Sequence, residues 1–312
     1  MPTDSALRPG GWSRNAWADR FEATPYVQRL GCQLASLEDD SVRLELPYRD
    51  ENSNPGGALH GGIHASLVAL AGGLAAESRL ASPDELETGI LDLSVAYLAA
   101  AVGVDVRAEG RVLRRGREIV FSESTVENAE GRTLARGLVT YRAVLRDVAA
   151  RASREDPEPA RVDPEAFIQG PLDPGTMGRA LAGSPGFMGT LMSVDHMQAG
   201  RALLSMPAKP EAMGADGSHH PGALAALLDS AGAMASWSMV APGLHKAMTP
   251  GIQVSFVGPS SGEPVVALAQ NMRKHAETFS NRVDLVTAET GRPVAQGLLT
   301  YRIVVGETLP SR

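Results

Sequence analysis

Gly131 to Val144 read GRTLARGLVTYRAV, and Gly291 to Val304 read GRPVAQGLLTYRIV. Nine of these fourteen positions are identical at an offset of 160 residues. At the same offset HGGIHASLVALAGGLAA, from His60, faces HPGALAALLDSAGAMAS, from His220. Two separate blocks in one register mark an internal duplication. The informative positions are then those where the copies differ, because a duplicated fold can keep its core twice and its chemistry once.

Working outward from these blocks, each copy has the same order of patterns. SVRLELPY, Ser41 to Tyr48, alternates as a half-buried strand does. The turn-forming loop ENSNPGGALHGG follows. A small-residue run from Gly61 to about Leu80 is too long for a strand and predicts one buried helix. Strands are expected at Ile90 to Leu98, Val104 to Arg115 and Ile119 to Ala129, then after the turn NAEGR a last one in TLARGLVTYRAVL. Copy two repeats the order with RALLSMP, the loop KPEAMGADGSHHPG, a helix from about Gly222 to Val240 and strands around GIQVSFV, EPVVALAQNMRK, TFSNRVDLVTA and PVAQGLLTYRIV. Four or five antiparallel strands and one helix per copy make an α+β chain. The expected division is an N-terminal segment 1–20 with a short helix around Trp12 to Phe21, a first unit 21–146, a Pro- and charge-rich linker 147–165, a second unit 166–306 and a tail 307–312.

Composition narrows the class of function. The 312 residues carry a formal net charge of −7, from 29 Lys and Arg against 36 Asp and Glu. That balance speaks against a general grip on nucleic acid or an anionic membrane. A single cysteine, Cys32, rules out an internal disulfide or a multi-cysteine metal site, in keeping with a reducing cytoplasm. The opening MPTDSALRPGGWSRNAWADR lacks the apolar core of a signal peptide, and no segment is apolar for long enough to span a bilayer, so a cytoplasmic protein is expected.

An Asn six residues before a His-Gly-Gly that opens a buried helix, a strand of the LSVAYL type and the run RRGREIVFSESTVENAEGRTLARG together resemble the hotdog-fold acyl-CoA thioesterases of the phenylacetate-degradation type. The resemblance implies a double hotdog in one chain, each unit a curved antiparallel sheet wrapped around one long helix. It also implies active sites between paired units. One unit supplies the Asn and the Gly-rich helix start; the other supplies a carboxylate nine residues after its His and a hydroxyl on the next strand. Copy one has Asn54, His60, Gly61 and Gly62 but Ala69 and Ile90 at the carboxylate and hydroxyl positions. Copy two has Gly214 and Pro221 in place of the Asn and first Gly, yet carries Asp229 and Thr249. The losses are complementary, so one whole site is expected per chain.

The implied chemistry is hydrolysis of an acyl-CoA to a carboxylic acid and free coenzyme A, with no bound cofactor and no metal. The Gly61 N–H would stabilise the tetrahedral oxyanion at a helix N-terminus, a donor Pro221 cannot supply. Asp229 would act as general base or as nucleophile. Thr249 and Asn54 would orient water, carboxylate or thioester, while His60 serves mainly to fix the loop. Gly62 is a second contact to substrate, and Arg114 and Arg115 are candidates for the phosphates of coenzyme A. His60 with His64, and Asp216 with His219 and His220, lack the further ligands of a metal site. Gly258 to Gly262 fits a nucleophile-elbow pattern but precedes a strand, and reads as a turn. Chains of this kind are expected to pair into dimers. A non-catalytic acyl-CoA or lipid binder, or a hotdog dehydratase or hydratase using His60 and Asp229, is the alternative.

Overall fold

The computed structural model describes residues 14–80, 86–147, 149, 159–168, 170–243 and 245–306. In the first half, α1 (Arg14–Ala23) and α2 (Pro25–Leu30) precede β1 (Gln33–Glu38) and β2 (Ser41–Leu46). The long α3 (Gly61–Glu77) follows, then β3 (Leu86–Tyr97), β4 (Val106–Arg115), β5 (Ile119–Asn128) and β6 (Thr133–Leu145). In the second half, three short helices, α4 (Pro164–Phe167), α5 (Gly175–Leu181) and α6 (Phe187–Leu191), lead to β7 (Ser193–Gln198) and β8 (Arg201–Met206). The long α7 (Pro221–Trp237) and β9 (His245–Phe256), β10 (Val265–His275), β11 (Thr278–Thr287) and β12 (Pro293–Val305) complete it. Each half thus holds six strands, not four or five. The extra ones, β1 and β7, are the outermost strands of the sheet.

All twelve strands form one antiparallel sheet in the order β1-β2-β4-β5-β6-β3-β9-β12-β11-β10-β8-β7, with the halves joined through β3 and β9. Across that seam Asp92 pairs with Ser255, Ser94 with Gln253 and Ala96 with Gly251. In β3 Asp92 lies opposite Thr140 of β6, and in β9 Gly251 lies opposite Thr300 of β12, so Asp92 and Gly251 are equivalent positions. Ser94 and Gln253 are then equivalent too, and they face each other. A seam that pairs a position with its own counterpart is an isologous, pseudo-two-fold junction.

The sheet curves over the two long helices, which touch each other and cross antiparallel. Small residues permit the approach. A Cβ on Gly62 would lie 2.4 Å from Ala226 Cβ, and one on Gly137 of β6 would lie 2.5 Å from Val68 Cγ1. Fifteen residues of α3 and fifteen of α7 are buried, which explains sequences apolar all round. One apolar core runs through both halves. A smaller cluster, in which Ile168 covers Leu203, Val266, Leu268 and Val286, buries part of the outer face of the second half.

Two expected boundaries move. The helix expected over 12–21 is α1, Arg14–Ala23; it crosses the proposed boundary at residue 20, and Trp17 is 2% exposed within the common core. Residues 14–20 therefore belong to the first unit. Most of the expected linker, residue 148 and residues 150–158, lies outside the described residues, as does the tail 307–312. The end of the linker is not free, because the Val162 N–H donates to the Gly291 carbonyl at 2.9 Å and α4 begins at Pro164.

Candidate active site

The N-terminus of α3 meets the middle of α7 at the interface between the halves. His60 caps α3: its Nδ1 accepts the Gly62 N–H at 3.0 Å, and its own N–H donates to the Asn52 carbonyl at 2.9 Å. Its ring stacks on Phe187 at 5.0 Å between centroids, and burial lowers its pKa to about 4, so it stays neutral at physiological pH. Helix geometry leaves the first N–H groups without intrahelical partners. With Gly62 committed to His60, the Gly61 N–H is the one aimed outward, and it makes no hydrogen bond among the described residues.

Facing Gly61 is the carboxylate of Asp229, 4% exposed on α7. A Cβ built on Gly61 would stand 2.7 Å from Asp229 Oδ2, so any side chain there would displace the acid. The other oxygen, Oδ1, accepts a hydrogen bond from Thr249 Oγ1 at 2.7 Å. Thr249 is aimed by a β-bulge: the register of β9 against β12 shifts between Thr300 and Arg302, leaving Thr249 and Pro250 opposite Tyr301 alone. Burial raises the Asp229 pKa to about 6, and the Thr249 hydrogen bond acts against that rise. The acid is thus largely ionised at neutral pH yet more basic than an exposed aspartate.

Asn54 shapes the loop before α3. Its Oδ1 accepts the N–H groups of Gly56 at 2.9 Å and Ala58 at 3.2 Å, so only the Nδ2 side remains for a ligand. Two expected contacts are corrected. Gly62 cannot donate to a substrate, since His60 holds its N–H; the residue serves the helix crossing instead. Arg115 is bound by Asp40 at 2.7 Å and donates to the Ala76 carbonyl at the C-terminal end of α3, so its guanidinium is already committed to protein partners. Arg114, its neighbour on β4, is exposed. Ser260 of the elbow-like turn is buried against His219, accepting its backbone N–H and meeting its Nδ1 at 2.9 Å.

Two further residues stand at this interface: His64, weighed in the sequence only as a metal partner of His60, and Tyr97, which the sequence reading did not single out. His64 lies one turn along α3 from His60, and Tyr97 ends β3. Their rings meet edge to face with centroids 6.2 Å apart, and burial, followed by the Asp229 charge, raises the Tyr97 pKa. Both differ between the copies: Leu224 stands for His64, and Phe256, by the seam register, for Tyr97. Comparing the copies at every position of helix and strand would have found them.

The opposite interface is built alike and furnished differently. His220 caps α7 by accepting the Gly222 N–H at 3.0 Å, but Pro221 offers no donor, Ala69 no carboxylate and Ile90 no hydroxyl. These residues line an open cavity of about 580 Å³ together with Leu224 and Phe256. A larger groove of about 730 Å³ runs along the seam on the outer face of the sheet, lined by Ser94, Gln253, Leu138 and Leu298, and holds none of the groups described above.

The thioesterase superfamily model matches residues 56–135, from the loop before α3 into β6. "Putative esterase VNG_1336C" of Halobacterium salinarum is 36% identical over 127 residues, which are 38% of this chain and 83% of that protein. Human "Acyl-coenzyme A thioesterase 13" is 29% identical over 107 residues, 33% of this chain and 74% of the relative. Among solved structures, a "putative thioesterase" from Novosphingobium aromaticivorans aligns over 86% of this chain and 97% of its own with a TM-score of 0.59 at 16% identity. A "putative thioesterase II" from Thermobifida fusca aligns over 91% and 97% with a TM-score of 0.59 at 20% identity. These two likenesses extend the shared fold across both halves.

Proposed function

We propose that this chain, which belongs to the thioesterase superfamily, hydrolyses acyl-CoA thioesters at a single composite site of a double hotdog, of the phenylacetate-degradation type. The observation that carries the reading is the unspent Gly61 N–H set against a buried, Thr249-anchored Asp229 carboxylate from the other half. In this reading the thioester carbonyl oxygen lies on the Gly61 N–H at the positive end of α3. Asp229 takes a proton from water, whose oxygen attacks the carbonyl carbon. The negative charge gathers on the carbonyl oxygen and is held by Gly61. Collapse of the tetrahedral intermediate breaks the C–S bond, and the sulfur of coenzyme A leaves with the proton that Asp229 took from water, which restores the carboxylate. Thr249 keeps one Asp229 oxygen in place, so the other faces Gly61. No step calls for a metal or organic cofactor, and His60 acts through the helix start it caps.

The test is release of free thiol from a panel of acyl-CoAs, comparing the unaltered chain with Asp229→Asn. Turnover that disappears in the variant supports the reading. Tight binding without thiol release, or hydration of an enoyl-CoA in its place, contradicts it. Single turnover in ¹⁸O-water probes the role of the acid: label in Asp229 identifies a nucleophile whose mixed anhydride water opens at the aspartyl carbon, whereas label in the product alone is common to a base and to an anhydride opened at the acyl carbon. The exposed pair Leu138 and Leu298, equivalent positions on either side of the seam, supports association of two chains through the outer groove. Sedimentation of a Leu138→Glu, Leu298→Glu variant tests that association.

A further inference from the structure

His64 Nε2 and Tyr97 Oη are both buried without a hydrogen-bond partner among the described residues. Buried polar atoms are ordinarily paired, so two such orphans in contact with one another mark a place built for something else. Their direction follows from the other interface. Leu224 and Phe256, which occupy the equivalent positions there, line the open cavity beside Ala69 and Ile90. By the pseudo-two-fold relation, positions 64 and 97 lie on the side of the interface that carries Asp229 and Thr249, and the Asp229 charge acts on Tyr97. Polarity at these positions is present only in the half-site combination that also holds the acid and the free N–H.

The donor and acceptor roles are fixed by what each group already does. His64 Nδ1 lies 3.4 Å from the His60 carbonyl, which can only accept, so the proton sits on Nδ1 and Nε2 presents a lone pair. Tyr97 has a proton to donate. An alcohol hydroxyl is the smallest acyl substituent that donates to one and accepts from the other; a ketone would satisfy Tyr97 and leave His64 unpaired. Position along the site follows as well. Helical side chains lean toward the N-terminus, and the contact with His60 places the His64 ring level with the first turn of α3, beside the Gly61 N–H.

We infer that His64 and Tyr97 form a hydroxyl-binding subsite, and that the acyl group taken at this interface carries its hydroxyl close to the thioester carbonyl, as in a 2- or 3-hydroxyacyl-CoA. The inference rests on the hydrolytic reading of the site and adds the substrate class. An unsubstituted acyl chain leaves both orphans unpaired, and a hydroxyl at the far side of an aromatic ring lies beyond their reach.

The experiment compares butyryl-CoA, 2-hydroxybutyryl-CoA, 3-hydroxybutyryl-CoA and 4-hydroxyphenylacetyl-CoA on the unaltered chain and on His64→Leu, Tyr97→Phe. Those replacements are the residues the second half carries at the same places, so the fold accommodates their shapes. The unaltered chain is expected to favour one of the two hydroxybutyryl thioesters over butyryl-CoA by about tenfold or more in kcat/KM, expressed mainly in KM. The double variant is expected to lose that preference, with the hydroxybutyryl thioesters falling to the kcat/KM it shows for butyryl-CoA. Equal kcat/KM for hydroxylated and plain thioesters overturns the inference and leaves hydrolysis standing. So does an equal fall in kcat on every substrate, since the pair would then be holding the attacking water. If no thioester is cleaved, the hydrolytic reading fails. The subsite is then judged by calorimetric affinity for 3-hydroxybutyryl-CoA against butyryl-CoA, with the same ratio expected and its absence decisive. Tyr97→Phe alone serves if the double variant does not fold.

Discussion

The two helix N-termini of this molecule point at the opposite half in the same way, yet only one of them meets an acid. At α3, Gly61 faces Asp229; at α7, Pro221 faces Ala69. The pairs are matched in volume as well as in chemistry. Glycine is required where a carboxylate comes within 2.7 Å of a would-be Cβ, while a proline ring has room where the partner is only a methyl group. The residue at the helix start and the residue facing it are thus coupled through packing. The difference extends one turn deeper, where His64 and Tyr97 oppose Leu224 and Phe256.

Replacing Gly61 by proline should break the comparison most sharply. The variant gives α3 the start that α7 already tolerates, since proline fits the first turn of a helix. It removes the oxyanion donor and crowds Asp229, so turnover should fall by about 10²–10³-fold with an unchanged circular dichroism spectrum. Thr249→Val, which brings the site closer to the Ile90 side, should cost less, about tenfold at neutral pH. Losing a hydrogen bond that favours the ionised acid must raise the Asp229 pKa above its present value of about 6. The acid limb of the pH–rate profile, which needs the carboxylate ionised and so rises with pH, should shift upward accordingly.

Building the chemistry into the other interface is the converse experiment. Ala69→Asp, Ile90→Thr and Pro221→Gly together restore acid, hydroxyl and donor, and turnover per chain should rise by no more than about twofold, the limit set by two equal sites in a symmetric pair. The smallest effect concerns stability. Burial holds His60, His64 and His220 near pKa 4, so the unfolded chain binds protons below about pH 6.5 that the folded chain refuses until about 4. Each neutral histidine therefore contributes stability that is present above that window and lost as pH falls through it. Asp229, raised to about 6, works the opposite way over part of the same range. His64→Leu makes the two helices alike in this respect, and urea midpoints should show a smaller loss between pH 7 and pH 5 than in the unaltered chain.

The complementary pattern of the candidate site was legible in the sequence because duplication supplies its own reference: Asn54 and Gly61 against Gly214 and Pro221, and Asp229 against Ala69, are read at an offset of 160 residues, and Thr249 against Ile90 at 159, the offset that the strand register supports. The long helices and most strands were equally plain from small-residue runs and alternation. The edge strands were not. QLASLE in β1 shows no buried residue and carries a bulge, and SVDHMQ in β7 buries His196, whose Nδ1 accepts the Asp173 N–H, so neither gives a clean apolar alternation. Arg115 illustrates a second limit. Its partner Asp40 is 75 residues away in the chain, and nothing local distinguishes a cation tied to the end of a helix from one free to meet a phosphate. For His60 the deciding facts, burial and the Gly62 N–H on its Nδ1, are tertiary and capping geometry that the His-Gly-Gly pattern leaves open.

The central claim, that one interface works and its twin does not, is tested most directly by measuring thioester hydrolysis in Asp229→Asn and Ala69→Asn side by side. The two changes place the same side chain at equivalent points of the two long helices. Loss of turnover in the first with an unaltered rate in the second is the predicted result. Equal rates in the two variants, whether both active or both dead, would contradict it.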